Sequence, residues 1–308
     1  MYHLTQMDIN TPCAAPHLTR RRGMTKTLLS FGHGYSARAL TKLLPDDWRV
    51  IGTTRSEEKA ATFMAEGIEP RIWPGADLMP ALKSATHILI SAGPSEGGDP
   101  VLNEFRDQIA ERRDQFEWVG YLSTTGVYGD HDGGWVDENT PLSPSTKRGQ
   151  MRVDAEFAWQ SLGLSLHIFR LAGIYGPGRG PFSKVRNGTA RRIIKEGQVF
   201  SRIHVADIAQ TLAASIAKPN PGAIYNLCDN NPAPPQDVIA HAAELLGLPI
   251  PLAQDFANAD LTSMARSFYA ESKKVCNERI KSDLGVKLIY PDYREGLAAL
   301  LAIEKVSR

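Results

Sequence analysis

Six short apolar runs, separated by longer stretches of mixed polarity, constrain this chain more than any other feature. The runs are TLLSF (27–31), WRVIGT (48–53), PRIW (70–73), HILISA (87–92), WVGYLST (118–124) and SLHIFRL (165–171). Helix-like segments lie between most of them: YSARALTKLL (35–44), SEEKAATFMAEG (56–67), ALKSA (81–85) and VLNEFRDQIAERRDQF (101–116). Strand and helix in alternation read as βαβ units, whose parallel sheet is covered by helices on both faces. The expected fold is α/β, a doubly wound parallel sheet of Rossmann type with a smaller C-terminal substrate lobe.

That reading divides the chain. Residues 1–23 carry neither the strand nor the helix period and lack the apolar stretch of a secretory signal, so a disordered tail is expected over 1–23, with Met24 as the natural start. Residues 24–175 form the dinucleotide-binding domain, completed by about 203–229, where AIYNLC (223–228) returns to the sheet. The substrate lobe takes 176–202 and 230–308. In VADIAQTLAASIA (205–217), Asp207 reads as the cap of a helix.

Charge and composition narrow the partner to a small molecule. Lys plus Arg number 35 against 34 Asp plus Glu, so no global excess points to nucleic acid or an anionic membrane. No apolar stretch approaches the roughly 18 residues of a spanning helix. Cys13, Cys228 and Cys276 are too few and too scattered for a disulfide framework or a metal site, which fits a cytoplasmic, reducing location. The eight histidines form no HExxH pair. DHDGGW (130–135) lacks cation-ligand spacing and reads as a turn. No metal is expected.

The first motif with chemistry follows the first run. Gly32, Gly34 and Ala37 make G-x-G-x-x-A between a strand and a helix, the arrangement that lets a pyrophosphate approach bare backbone at a helix start. Gly32, His33, Gly34, Tyr35 and Ser36 are the expected cradle. An acid about 20 residues further on would bind the ribose hydroxyls of NAD; between Trp48 and Ser56 there is none. Thr53, Thr54 and Arg55 stand there instead and suit a 2′-phosphate, so NADP is expected, with NAD as the other possibility. Ser91, Ala92 and Gly93 end the fourth run with small residues against which a ribose can lie. Ser123 and Thr124 end the fifth, at the carboxyl edge where ligands of open α/β sheets bind.

Taken in order, GHGYSA (32–37), STTGVYG (123–129), FRLAGIYGPGR (169–179), RIHVADIA (202–209) and GAIYNLCD (222–229) resemble the extended short-chain dehydrogenases/reductases, which include NAD-dependent epimerases and dehydratases of nucleotide sugars. The resemblance runs from about Thr27 to Gly296. It implies a catalytic role for Thr124. Dehydratases of the family carry an Asp-Glu pair at the next two positions, which here are Thr125 and Gly126, so that activity is not expected.

The family's Tyr-x-x-x-Lys dyad belongs at the start of the helix after the proline-rich loop. Aligned on Glu156, Arg148 takes the tyrosine position and Arg152 the lysine position, which marks an atypical branch. Arginine stays charged and cannot donate the tyrosine's proton, although it can hold a ribose or an anion. Arg148 and Arg152 read either as a solvated helix face or as ligand contacts. Tyr128, Tyr175 and His204 are the remaining candidates for a proton donor, Tyr128 first.

By the same resemblance, 176–202 faces the substrate. Arg179, Lys184, Arg186, Arg191, Arg192, Lys195 and Arg202 lie there, and Arg148, Arg152, Arg179 and Arg202 are the expected substrate contacts. An anionic carbonyl compound or a nucleotide sugar would fit them. Two functions follow: an NADP-dependent oxidoreductase or epimerase, or an NAD(P)-binding sensor without turnover. A homodimer is expected from the resemblance.

Overall fold

A computed structural model describes residues 25–306; the tail expected over 1–23 and the start at Met24 lie outside them. The apolar runs become β1 (Thr27–Phe31), β2 (Arg49–Thr54), β3 (Glu69–Ile72), β4 (His87–Ile90), β5 (Trp118–Thr124) and β6 (Leu166–Leu171), joined by β7 (Ile224–Leu227). All seven are parallel, in the order β7-β6-β5-β4-β1-β2-β3. The order reverses between β1 and β4. That is the switch point of a doubly wound Rossmann-type sheet, where the strand ends open a crevice.

The helices are α1 (Tyr35–Thr41), α2 (Glu57–Ala65), α3 (Met79–Ser84), α4 (Pro100–Glu111), α5 (Lys147–Gln160), α6 (Phe182–Arg186), α7 (Val205–Ala217), α8 (Pro235–Leu246), α9 (Ser263–Phe268), α10 (Glu278–Ser282) and α11 (Tyr293–Val306). Side chains alternate across the sheet and fill a core on each face. Leu28, Leu89, Trp118, Phe169 and Tyr225 pack with Leu40, Phe63 and Leu212 of α1, α2 and α7. Leu29, Ile88, Val119 and Ile168 pack with Leu82, Phe105 and Trp159 of α3, α4 and α5. Each such burial contributes roughly 1.5–3 kcal/mol, so the strand ends that carry the cleft rest on a double-sided core.

Caps set the helix starts near the cleft. Asp99 precedes Pro100, and its Oδ1 accepts from the amides of Val101 and Leu102, while Oδ2 accepts from the Trp159 indole at 3.1 Å and ties α4 to α5. Thr146 caps α5 through the Gly149 amide. The cap of α7 is His204, whose Nδ1 accepts from the Ala206 amide, and not Asp207. Asp207 is buried and accepts from the amides of Ile289 and Tyr290, so it anchors the segment before α11.

Outside the main sheet the chain builds three small parallel pairs: 173–175 with 202–204, 192–194 with 253–255, and 135–136 with 274–275. A third cluster, including Phe182, Val238, Tyr293 and Leu297, is the separate core of α6, α8 and α11. Among the described residues no helix is long and apolar enough to cross a membrane.

Candidate functional site

The carboxyl ends of β1, β4, β5 and β6, the start of α5 and the α6–α8–α11 lobe enclose one cleft of about 810 Å³. Gly32, Gly34, Tyr35, Ser36, Ser91, Ser123, Thr124, Arg148, Arg152, Arg179 and Arg202 all line it. These residues come from segments up to 170 positions apart, and the sheet topology brings them together.

The glycine turn is built for close approach. Gly32 has φ +71°, and a Cβ there would lie 2.8 Å from the Ala92 nitrogen. Its own amide donates to the buried Thr53 hydroxyl at 2.7 Å. Thr53 therefore braces the turn. Helix α1 begins after Gly34 with no side chain capping its first amides, which leaves them for an anion. Tyr35 closes one side: its hydroxyl donates to the Pro177 carbonyl at 3.0 Å, and the Arg179 guanidinium lies over its ring at 5.8 Å.

Two of the expected cofactor contacts turn to protein partners. The His33 ring is buried against Gly52 and Phe63, and burial lowers its pKa to about 4. It lies under the turn, off the cleft, because the odd residue of G-x-G points to the sheet side. Thr54 Oγ1 accepts from the Ser56 amide at 3.2 Å, and Ser56 caps α2 through the Lys59 amide. Arg55 is exposed just past β2 and makes no hydrogen bond or ion pair among the described residues.

At the far edge, Ser91 Oγ is buried beside the cleft without a partner among the described residues. Arg152 reaches over the strand ends. Its Nη1 donates to the Leu122 carbonyl at 2.6 Å and the Tyr121 hydroxyl at 3.3 Å, and its Nη2 packs where a Cβ on Gly93 would stand, 2.9 Å away. Arg148, one turn earlier, is exposed to the cleft and makes no hydrogen bond or ion pair among the described residues. Thr124 also borders the cleft, its Oγ1 accepting from the Gly126 amide at 3.2 Å.

Tyr128, expected as a candidate acid, does not reach the cleft. It is fully buried, donates to Asn226 Oδ1 at 2.8 Å and accepts from Arg170 at 2.9 Å, and burial raises its pKa. No motif marks this network, in which Arg170 pairs with Glu156 at 2.7 Å and Glu156 accepts from Ser123. It fixes β5, α5, β6 and β7 to one another directly beneath the cleft. His204 is likewise buried, against Tyr290 at 4.1 Å and Tyr175, with its pKa lowered to about 4 by burial. Tyr175 borders the cleft, and burial pushes its pKa well up.

The basic stretch 176–202 largely faces away. Arg186 pairs with Glu304, Arg191 binds the Asp260 carbonyl and Gln254, and Lys195 binds the Tyr269 carbonyl. Only Arg179 and Arg202 line the cleft, and Arg202 Nη1 already serves the carbonyls of Phe200 and Ala233, both at 2.9 Å. Residues from the far C-terminus enter instead. Lys273, buried, donates to the Gly129 carbonyl and to Glu271, both at 2.6 Å. Phe200, Phe268, Tyr293 and Leu297 complete the wall, and no short motif marked them. Five cations thus face the cleft against one carboxylate, Glu271.

No family model matches the chain. A conserved, functionally unknown protein from Silicibacter pomeroyi DSS superposes with a TM-score of 0.88 and 64% identity, over 91% of this chain and 99% of that one. The two proteins belong to one family. Protein YeeZ of Escherichia coli (strain K12) is 29% identical over 262 residues, which is 80% of this chain and 89% of YeeZ. The family shares its fold with UDP-glucuronic acid 4-epimerase from Bacillus cereus, solved with UDP-glucuronic acid and NAD: TM-score 0.74, 17% identity, 92% of this chain and all of that one.

Proposed function

We propose that the chain is an NAD(P)-dependent oxidoreductase or epimerase that works on an anionic substrate without the Tyr-Lys dyad. The observation that carries this reading is the Gly32 turn, where a Cβ would collide with Ala92 and the uncapped start of α1 opens onto the cleft. A dinucleotide would use that space, and the orphaned Ser91 Oγ would find a ribose hydroxyl there. The cofactor, when bound, supplies hydride exchange at its nicotinamide.

The chain's own residues divide the remaining work. The Gly32–Ser36 turn holds the pyrophosphate, and Arg55, without a hydrogen-bond or ion-pair partner among the described residues, takes the 2′-phosphate and favours NADP. Arg152 stands in for the lysine and holds the ribose with the N–H groups not spent on Leu122 and Tyr121. Thr124 hydrogen-bonds a substrate oxygen. Arg148 stands at the tyrosine position and binds an anionic group of the substrate, and a guanidinium has no proton to give in the tyrosine's place.

The absence of an acid at position 148 and the burial of Tyr128 favour a second reading, a cofactor-binding sensor without turnover. Isotope transfer separates the two. NADPH carrying deuterium on one face of C4 is incubated with the protein and anionic carbonyl compounds, and transfer of label from a single face supports the enzyme. Retention of all label with every acceptor, while NADPH still binds, supports the sensor.

A further inference from the structure

The substrate half of the cleft has a composition that no cofactor requires. Beyond Thr124 its apolar walls are Phe200, Val238, Phe268, Tyr293 and Leu297, beside the hydroxyl residues Ser201 and Ser267 and the cations Arg148 and Arg202. Phe268 is 58% exposed although large and apolar, and it sits at the rim on the short helix α9. Among the described residues no Asn, Gln, Asp or His side chain lines the cleft, and the carboxylate of Glu271 is already taken by Ser145 and Lys273. A pyrimidine or purine edge presents donors and acceptors side by side, which side-chain amides and carboxylates commonly read; this wall has no such pair.

The directions of the cations point the same way. Of the five cations, Lys273 is neutralised by Glu271, Arg179 lies over Tyr35 beside the glycine turn, and Arg152 is bound to strand ends. Arg202 has one nitrogen committed to two carbonyls. Arg148 alone is wholly uncommitted among the described residues that line the substrate half. Carbonyl hydrogen bonds and the ring contact leave Arg152, Arg179 and Arg202 charged but fix where their guanidiniums point, whereas Arg148 is free to turn to a carboxylate in a planar two-point contact.

We infer that the substrate is a small monoanion with a flat, apolar body, an aromatic or conjugated carboxylate, and not a nucleotide sugar. The carboxylate sits on Arg148, and the body lies between Phe200 and Phe268 with Tyr293 and Leu297 beneath it. This rests on the cofactor reading above, because the Gly32 side of the same cleft is reserved for the dinucleotide.

Calorimetry on the full chain saturated with NADPH tests it, with three probes: trans-cinnamate, cinnamyl alcohol and UDP-glucuronate. Cinnamate is expected to bind at least about tenfold more tightly than the alcohol or UDP-glucuronate, the scale of one charge-assisted contact. Arg148→Gln and Phe268→Ala should each weaken cinnamate about tenfold while leaving NADPH affinity unchanged. Both side chains are exposed, so neither variant endangers folding. UDP-glucuronate binding as tightly as cinnamate, cinnamate failing to bind the NADPH-loaded protein, or both variants binding cinnamate like wild type overturns the inference. Failure of NADPH itself to bind is a different result, because it removes the cofactor reading.

Discussion

Arg170 and Glu156 meet at 2.7 Å with their side chains only 3% and 2% exposed, and the pair holds the floor of the cleft. Glu156 comes from α5, which also carries Arg148 and Arg152, and Arg170 from the central strand β6. Ser123 and Tyr128 join from either side, so the carboxylate and guanidinium are hydrogen-bonded beyond their mutual contact. Burial taxes both charges, and only this full set of partners offsets it.

Removing one partner leaves the other charged and dry. Glu156→Ala is expected to lower unfolding free energy by about 3–5 kcal/mol, as for other broken buried pairs. Urea denaturation checks this, and a loss below about 1 kcal/mol would show that Arg170 finds water or another acceptor.

Gly32 sets the cofactor cradle. Gly32→Ala forces a side chain into a left-handed conformation and against the Ala92 backbone at 2.8 Å. The expected result is destabilisation by about 1 kcal/mol or more together with loss of NADPH binding. Gly34→Ala is the internal control for clash, because a Cβ there meets nothing closer than the Gly32 carbonyl at 3.6 Å. That variant should fold like wild type and lose affinity only through crowding of the bound pyrophosphate.

These first two predictions differ in how far the sequence foretold them. The alternation of runs and the G-x-G-x-x-A spacing are local, and they located seven of the cleft's glycine-turn and strand-end residues: Gly32, Gly34, Tyr35, Ser36, Ser91, Ser123 and Thr124. Glu156 with Arg170, and Lys273 with Gly129, are contacts between distant segments. Their pairing depends on which strands become neighbours. The direction of Tyr128 is not legible in its motif for a related reason: a motif fixes the backbone path, whereas Asn226 and Arg170 decide which way the phenol points. The basic 176–202 stretch failed as a guide because Glu304, Gln254 and two backbone carbonyls, all at least 60 residues away, draw its cations off the cleft.

Arg152 is expected to act on the cofactor. Arg152→Ala should weaken NADPH binding about tenfold, and Arg152→Lys should weaken it less, because an ammonium can still reach a ribose hydroxyl. Calorimetry on both variants provides the check. Wild-type affinity in Arg152→Ala would reduce the residue to a strut beneath Leu122.

Asp229 gives a pH signature away from the cleft. It is buried, its Oδ1 accepts from the Asn231 amide, its Oδ2 has no partner among the described residues, and burial raises its pKa to about 7. In the unfolded chain the group ionises near pH 3.9. Between about pH 4 and 7 the folded state binds the extra proton, so this carboxyl lowers stability as pH rises through that window. Asp229→Asn keeps the acceptor and removes the titration. The stability difference, variant minus wild type, should therefore grow from pH 4 to 7 and level off above; a difference that is flat with pH contradicts the burial account.

The most direct test of the dinucleotide cleft is a calorimetric titration of the full chain with NADPH and, in parallel, NADH, repeated on Arg55→Asp. NADPH should bind wild type at least about tenfold more tightly than NADH, and Arg55→Asp should erase that preference while leaving NADH unaffected. Binding of neither dinucleotide to wild type would contradict the account and leave the Gly32 turn a structural feature alone.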